Sequence, residues 1–159
     1  MPAFAAESTA TENGGKKEID VNAKYVDGSQ TPTVYHVDVS WGAMEFTYTV
    51  SGTKTWNAKA HNYTVSTSGA WTASGNEITV TNHSNTAVKA DFTYAKATDF
   101  DTVTGTFSQS SLTLPTADGK AVNDATLTKK TALTLGGTLA SDKIALTKVG
   151  SVTVAISKA

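Results

Sequence analysis

The side chains that could carry out acid–base or nucleophilic chemistry are few and scattered. The three histidines are His36, His61 and His83; the first lies on the polar face of a predicted strand, and the other two lie in predicted turns. A nucleophile needs a histidine base that a third group orients. The sequence has no G-x-S-x-G element, no phosphate-binding loop and no H-E-x-x-H motif. It therefore predicts a protein that is not an enzyme.

Two pairs of polar side chains could contribute to a metal site. His36 and Asp38 lie on the same face of one predicted strand, and Asp99 and Asp101 are two apart in a loop-like segment. Carboxylates in a loop are the ligands that Ca²⁺ takes. Neither pair reaches a recognised ligand pattern, and solvated polar positions explain both. We predict no metal site and no cofactor.

Three aromatic residues give the best indication of a small ligand. Trp56, Tyr63 and Trp71 lie near predicted loops, where flat rings could form a platform for the faces of sugar rings. The alternative is that they belong to the core, because large aromatic side chains dominate sandwich interiors. Trp41 alternates in phase with Val37 and Val39 and is predicted to lie in the core.

Composition limits the partners of the chain. All 13 basic residues among the 159 are lysines, and the net charge is −1. Arginine is the usual reader of phosphate and guanine, so its absence argues against nucleic-acid binding. The sequence has no cysteine, which excludes disulfides, and no apolar run approaches the ~18 residues of a membrane span.

The stretch Thr33 to Val50 organises the predicted core. Apolar residues occupy every second position up to Trp41, and after Gly42 the apolar set changes parity. Since side chains on a strand alternate between faces, this pattern predicts either one strand kinked at the glycine or two strands that meet at a corner. These strands are expected to carry most of the aromatic side chains of the core.

Further alternating segments follow to the end of the chain, separated by turn signals every ~8–12 residues. Ala70 to Thr72 follows Tyr63 to Ser66 as a second short strand, and Val88 to Tyr94 forms a hairpin with Glu77 to Thr81. About nine to eleven strands result. The predicted fold is all-β, a single antiparallel immunoglobulin-like β-sandwich over residues 18–159.

The first 17 residues are predicted to lie outside this domain. Met1 to Glu7 has the small-x-small character of the end of a signal peptide, and Ser8 to Lys17 is polar enough to form a disordered tail. The following segment, Ile19 to Val26, alternates apolar and polar residues as a first strand. It could pair within its own domain or insert into a neighbouring molecule, giving head-to-tail filaments.

Several segments carry a resemblance to a known class of proteins. They are Val37 to Thr47, Thr55 to Asn57, Ala70 to Thr72, Ile78 to Ser84 and Gly150 to Ile156. These segments resemble small secreted proteins of Gram-positive bacteria with immunoglobulin-like β-sandwiches, most of which have no assigned activity. The resemblance implies an extracellular or cell-surface location and a structural or adhesive role. It implies no catalytic residue.

The sequence thus favours a non-catalytic extracellular or cell-surface protein that assembles with itself by strand exchange. A carbohydrate-binding module that uses Trp56, Tyr63 and Trp71 on surface glycans is the alternative. An enzyme whose site leaves no recognisable motif is a third, weaker alternative.

Overall fold

A computed structural model describes residues 21–159 of the chain. This part is all-β, as predicted: nine strands pair antiparallel, and no α-helix occurs among the described residues. The strands are β1 (Val37–Trp41), β2 (Glu45–Asn57), β3 (Asn62–Ser74), β4 (Glu77–Asn82), β5 (Val88–Lys96), β6 (Val103–Phe107), β7 (Ser111–Leu114), β8 (Thr128–Gly137) and β9 (Gly150–Lys158). A short 3-10 helix, Ala125–Leu127, precedes β8.

The chain divides into two units, Met1–Thr31 and Pro32–Ala159. The predicted signal-peptide remnant and tail, residues 1–17, lie outside the described residues. The predicted first strand is not formed over its described part: residues 21–26 have no regular structure, and Val21 is 92% exposed. A strand is stable only beside a partner, and residues 21–31, the described part of the first unit, contain no strand.

The second unit contains three sheets. One has the strand order β1-β4-β8-β6, another has the order β7-β5-β9, and β2 pairs with β3 as a long hairpin. Ile78 and Val80 of β4 pack into one apolar cluster with Val88, Ala90 and Phe92 of β5. The four-stranded and three-stranded sheets therefore share a core, which makes the fold sandwich-like.

One edge of this sandwich is closed by the chain itself. The segment between β6 and β7 passes from one sheet to the other. Ser108 N donates to Ala132 O on the β8 side, and Phe92 N of β5 donates to Ser110 O on the other side. These hydrogen bonds join the two sheets at the edge where β6 and β7 lie.

The parity change at Gly42 is a corner between two strands, one of the two predicted arrangements. β1 ends at Trp41 and β2 begins at Glu45. The corner lies against Gly75, and a Cβ at Gly42 would come within 2.4 Å of the Gly75 carbonyl oxygen. Only glycine allows this approach of two backbones.

Three expectations about these strands are wrong. β4 and β5 do not form a hairpin, because they belong to different sheets. The two short strands predicted around Ser68 and Gly69 are one strand, β3, which pairs with β2 along its whole length. The strands between Thr33 and Val50 do not carry most of the aromatic side chains of the core. The buried hydrophobic side chains are almost all aliphatic, and the aromatic one among them is Phe92 of β5.

Candidate functional site

The edge of the sandwich opposite β6 and β7 is open. Among the described strands, β1 pairs only with β4, and β9 pairs only with β5. The outer backbone N–H and C=O groups of both strands therefore have no partner strand. Such groups are able to pair with an added strand.

A groove of about 1080 Å³ lies at this edge. Val39 and Trp41 of β1 line one side, and Val152 and Val154 of β9 line the other. The base of β2 and residues of the β8–β9 connection also line it, together with side chains of β3, β4, β5 and β8. We call this feature the edge groove.

Large apolar side chains of the edge groove are exposed to solvent. Trp41 is 68% exposed, Leu146 is 77% exposed and Ile144 is 94% exposed. The prediction that Trp41 lies in the core is wrong, although its parity with Val37 and Val39 is as expected. β1 is the last strand of its sheet, so the side of Trp41 that faces the groove has no neighbouring strand to cover it.

The rim of the edge groove carries both signs of charge. Lys143 and Lys148 lie on the β8–β9 connection, and Glu45 lies at the start of β2. At the same end, burial raises the pKa of Tyr94, whose hydroxyl donates to Val149 O at 3.1 Å. This hydrogen bond ties the β8–β9 connection to β5.

The β2–β3 hairpin is attached to the second unit through its base. Phe46 and Trp71 pack against the buried cluster of Val103, Leu133 and Leu135. The Trp71 indole N–H also donates to Gly137 O at 3.0 Å. Trp71 is therefore a partly buried anchor of the hairpin.

The outer part of the hairpin, residues 51–70, is exposed at every position. We call this part the hairpin arm. Trp56 and Tyr63 are directly paired across its two strands, with ring centroids 5.1 Å apart, and are 52% and 61% exposed. The His61 ring lies 6.3 Å from that of Trp56 and nearly parallel to it, at 3°.

The structure thus brings together two of the three predicted ligand-binding residues. Trp71 lies eight residues along β3 from Tyr63, a separation of about 27 Å at strand spacing. The third ring of the cluster at the end of the arm belongs to His61, which sequence reasoning missed. Its position in the turn that joins Trp56 to Tyr63 was the available signal.

Among the candidate metal residues, His36, Asp38 and Asp101 lie beside other titratable side chains, and Asp99 makes no such contact within residues 21–159. His36 and His83 place their Nε2 atoms 3.5 Å and 3.4 Å from the two Asp38 carboxylate oxygens. Asp101 pairs with Lys96 at 2.6 Å, and this hydrogen bond and charge lower the pKa of Asp101. Over residues 21–159, no group of three or more His, Cys, Asp or Glu side chains is arranged to hold a metal ion.

Comparison with known proteins gives no relative from which a function could be transferred. No protein-family model, no curated protein and no solved structure significantly matches the chain. Within residues 21–159, no helix combines the length and the apolar character that crossing a membrane requires. The edge groove and the hairpin arm are the two features of the described residues that point to a function.

Proposed function

We propose that this protein is a non-catalytic structural or adhesive subunit, located outside the cell or on its surface, whose copies assemble through the edge groove. The observation that carries the proposal is the apolar groove between two strands whose outer edges are unpaired. An immunoglobulin-like sandwich that lacks one strand at this edge fits the arrangement of the two sheets. The extracellular location rests on the resemblance to secreted Gram-positive proteins.

Two physical properties of the edge groove support assembly. An added strand would gain backbone hydrogen bonds from β1 or β9, which gives affinity without a particular side chain. The same strand would remove Trp41, Ile144 and Leu146 from water, and each large side chain so buried contributes about 1.5–3 kcal/mol. Exposed apolar patches with a polar rim are typical of interaction sites.

The test compares two exposed apolar positions. Leu146→Asp places a charge in the edge groove, and Val122→Asp places the same charge at a position that is 83% exposed and outside the groove lining. Light scattering over a wide concentration range should show large species for the parent and for Val122→Asp, and monomers for Leu146→Asp. If the parent is monomeric throughout, or if Leu146→Asp assembles like the parent, the proposal is wrong.

A second candidate function is carbohydrate binding at the end of the hairpin arm. The observation that favours it is the exposed cluster of Trp56, His61 and Tyr63, which contributes no contact to the buried core. Exposed aromatic rings at the end of a projecting arm are available to the apolar face of a sugar. The role of Trp71 in this candidate is restricted to holding the arm.

The carbohydrate candidate predicts that glycan binding depends on the aromatic cluster alone. Trp56→Ala should abolish binding on a glycan array and remove the change in tryptophan fluorescence. Val65→Ala, at a 53% exposed position on the same arm, should leave both signals intact. Equal signals from the two variants would exclude this candidate.

A further inference from the structure

We infer that the occupant of the edge groove is the segment Ile19–Val26 of a second copy of this chain. The inference rests on the proposed assembly through the edge groove and names the partner. We call Ile19–Val26 the donor segment. Its sequence places Ile19, Val21, Ala23 and Tyr25 at alternate positions, with Asp20, Asn22 and Lys24 between them.

The donor segment matches the missing strand in pattern. A strand with this alternation has one apolar face, which fits the apolar groove, and one polar face, which stays in water. Its eight residues span about 27 Å when extended, and the nine residues of β9 span about 30 Å. The donor segment can therefore pair along nearly the whole free edge of β9.

The described part of the donor segment is itself unpaired. Val21 is 92% exposed, Tyr25 is 88% exposed and Val26 is 70% exposed, and residues 21–31 form no strand. One chain thus presents both an apolar groove and an exposed segment with the alternation of a strand.

Insertion of the donor segment into a second copy leaves that copy's own donor segment free for a third. The contact is heterologous, since a segment of one molecule meets a groove of the next. Repeated contacts of this kind produce a head-to-tail chain. Every interior copy then gives one strand and receives one.

The first test changes neighbouring positions of the donor segment in the full chain. Val21→Asp puts a charge on its apolar face, and Asn22→Asp puts the same charge on its polar face, one residue away. Light scattering should show that Val21→Asp is monomeric at concentrations where Asn22→Asp and the parent form large species. If Val21→Asp assembles like the parent while Leu146→Asp does not, the donor inference fails and assembly through the groove stands.

The second test gives the direction of the contact. Val21→Asp retains an intact groove, and Leu146→Asp retains an intact donor segment. A mixture of the two monomeric variants should form 1:1 complexes that stop at two molecules, because each variant can take only one of the two roles. A mixture that stays monomeric would overturn the inference. The inference would also be overturned if, in the parent, the donor segment protected the β9 amides of its own molecule at every concentration.

Discussion

At the scale of single residues, Tyr94 shows how the interior is fitted around one aromatic ring. Tyr94 belongs to β5, and its ring lies against Gly105 of β6 in the other sheet. A Cβ at Gly105 would come within 2.4 Å of the Tyr94 ring. The absence of a side chain at Gly105 is therefore what allows the ring to lie between β5 and β6.

Gly105→Ala is expected to destabilise the domain, because the added methyl group must displace the Tyr94 ring. Inserting a methyl group into a packed interior costs about 1–3 kcal/mol. Urea unfolding followed by tryptophan fluorescence measures the difference. Gly28→Ala is the control, since nothing lies within 4 Å of the position its Cβ would take; equal midpoints for the two variants would contradict the expectation.

A second residue-scale prediction concerns acid. A hydrogen bond from the Ser111 side chain, followed by the hydrogen bond and charge of Lys89, lowers the pKa of Asp91 below its ordinary 3.8. A lowered pKa means that the folded state binds the proton less tightly than the unfolded state. The stabilisation is therefore present above pH ~4 and is lost as the pH falls through the lowered pKa.

We expect Asp91→Asn to reduce the loss of folding stability that the parent shows as the pH falls below ~4. Thermal unfolding between pH 5 and pH 2 should show a smaller decrease in Tm for Asp91→Asn than for the parent. Asp118→Asn, at an exposed position, serves as the control and should follow the parent. Parallel profiles for all three proteins would exclude a contribution from Asp91.

At the scale of elements, the β2–β3 hairpin is expected to behave as two parts. Replacement of residues 51–68 by Asn-Gly keeps the pairing of Val50 with Gly69 and supplies a two-residue turn. Because all the removed residues are exposed, the free energy of unfolding should change by less than about 0.5 kcal/mol. Trp71→Ala, which truncates the anchor, should cost about 2 kcal/mol.

Denaturant titration of the two variants separates the arm from its base. A large loss of stability in the shortened protein would show that the arm contributes to the core. A neutral Trp71→Ala would show that Phe46 alone holds the hairpin. The shortened protein should also lose any binding that depends on Trp56.

The strands were predictable from sequence, but most of their pairings were not. Alternation located β5 and β9 because each has one face toward the core. Alternation carries no information about the partner strand, so the connection from β4 to β5 was predicted as a hairpin turn. In the structure that connection crosses between sheets, and Asn82, a residue typical of exposed turns, is fully buried.

The hydrogen bonds of Asn82 explain this misassignment. Its side-chain amide donates to Thr86 O at 2.9 Å and to Pro115 O at 2.7 Å, and its carbonyl accepts from Ser84 N at 2.9 Å. The polar side chain is thus satisfied inside the protein, which composition alone does not reveal. The edge groove was equally hidden, because its two walls come from β1 and β9, at opposite ends of the second unit.

At the scale of the whole molecule, assembly should be visible in amide exchange. Alternate N–H groups of β9 point away from β5, toward the unpaired side. In dilute solution they should exchange rapidly with solvent, whereas those bonded to β5 should be protected. At concentrations that give large species, hydrogen–deuterium exchange should slow at the outward amides of β9 or β1, and unchanged exchange at both edges would contradict strand addition.

The order of the strands also determines when this protein can fold. The β2–β3 hairpin pairs strands that are neighbours in sequence. In contrast, β1 pairs with β4, β4 pairs with β8 and β5 pairs with β9, so each of these pairings can form only after the later strand has been synthesised. During synthesis the ribosome therefore releases β1 to β8 before β9 is available to cover one side of β5. Non-local pairing of this kind folds slowly, and one side of β5 stays uncovered until β9 has been made.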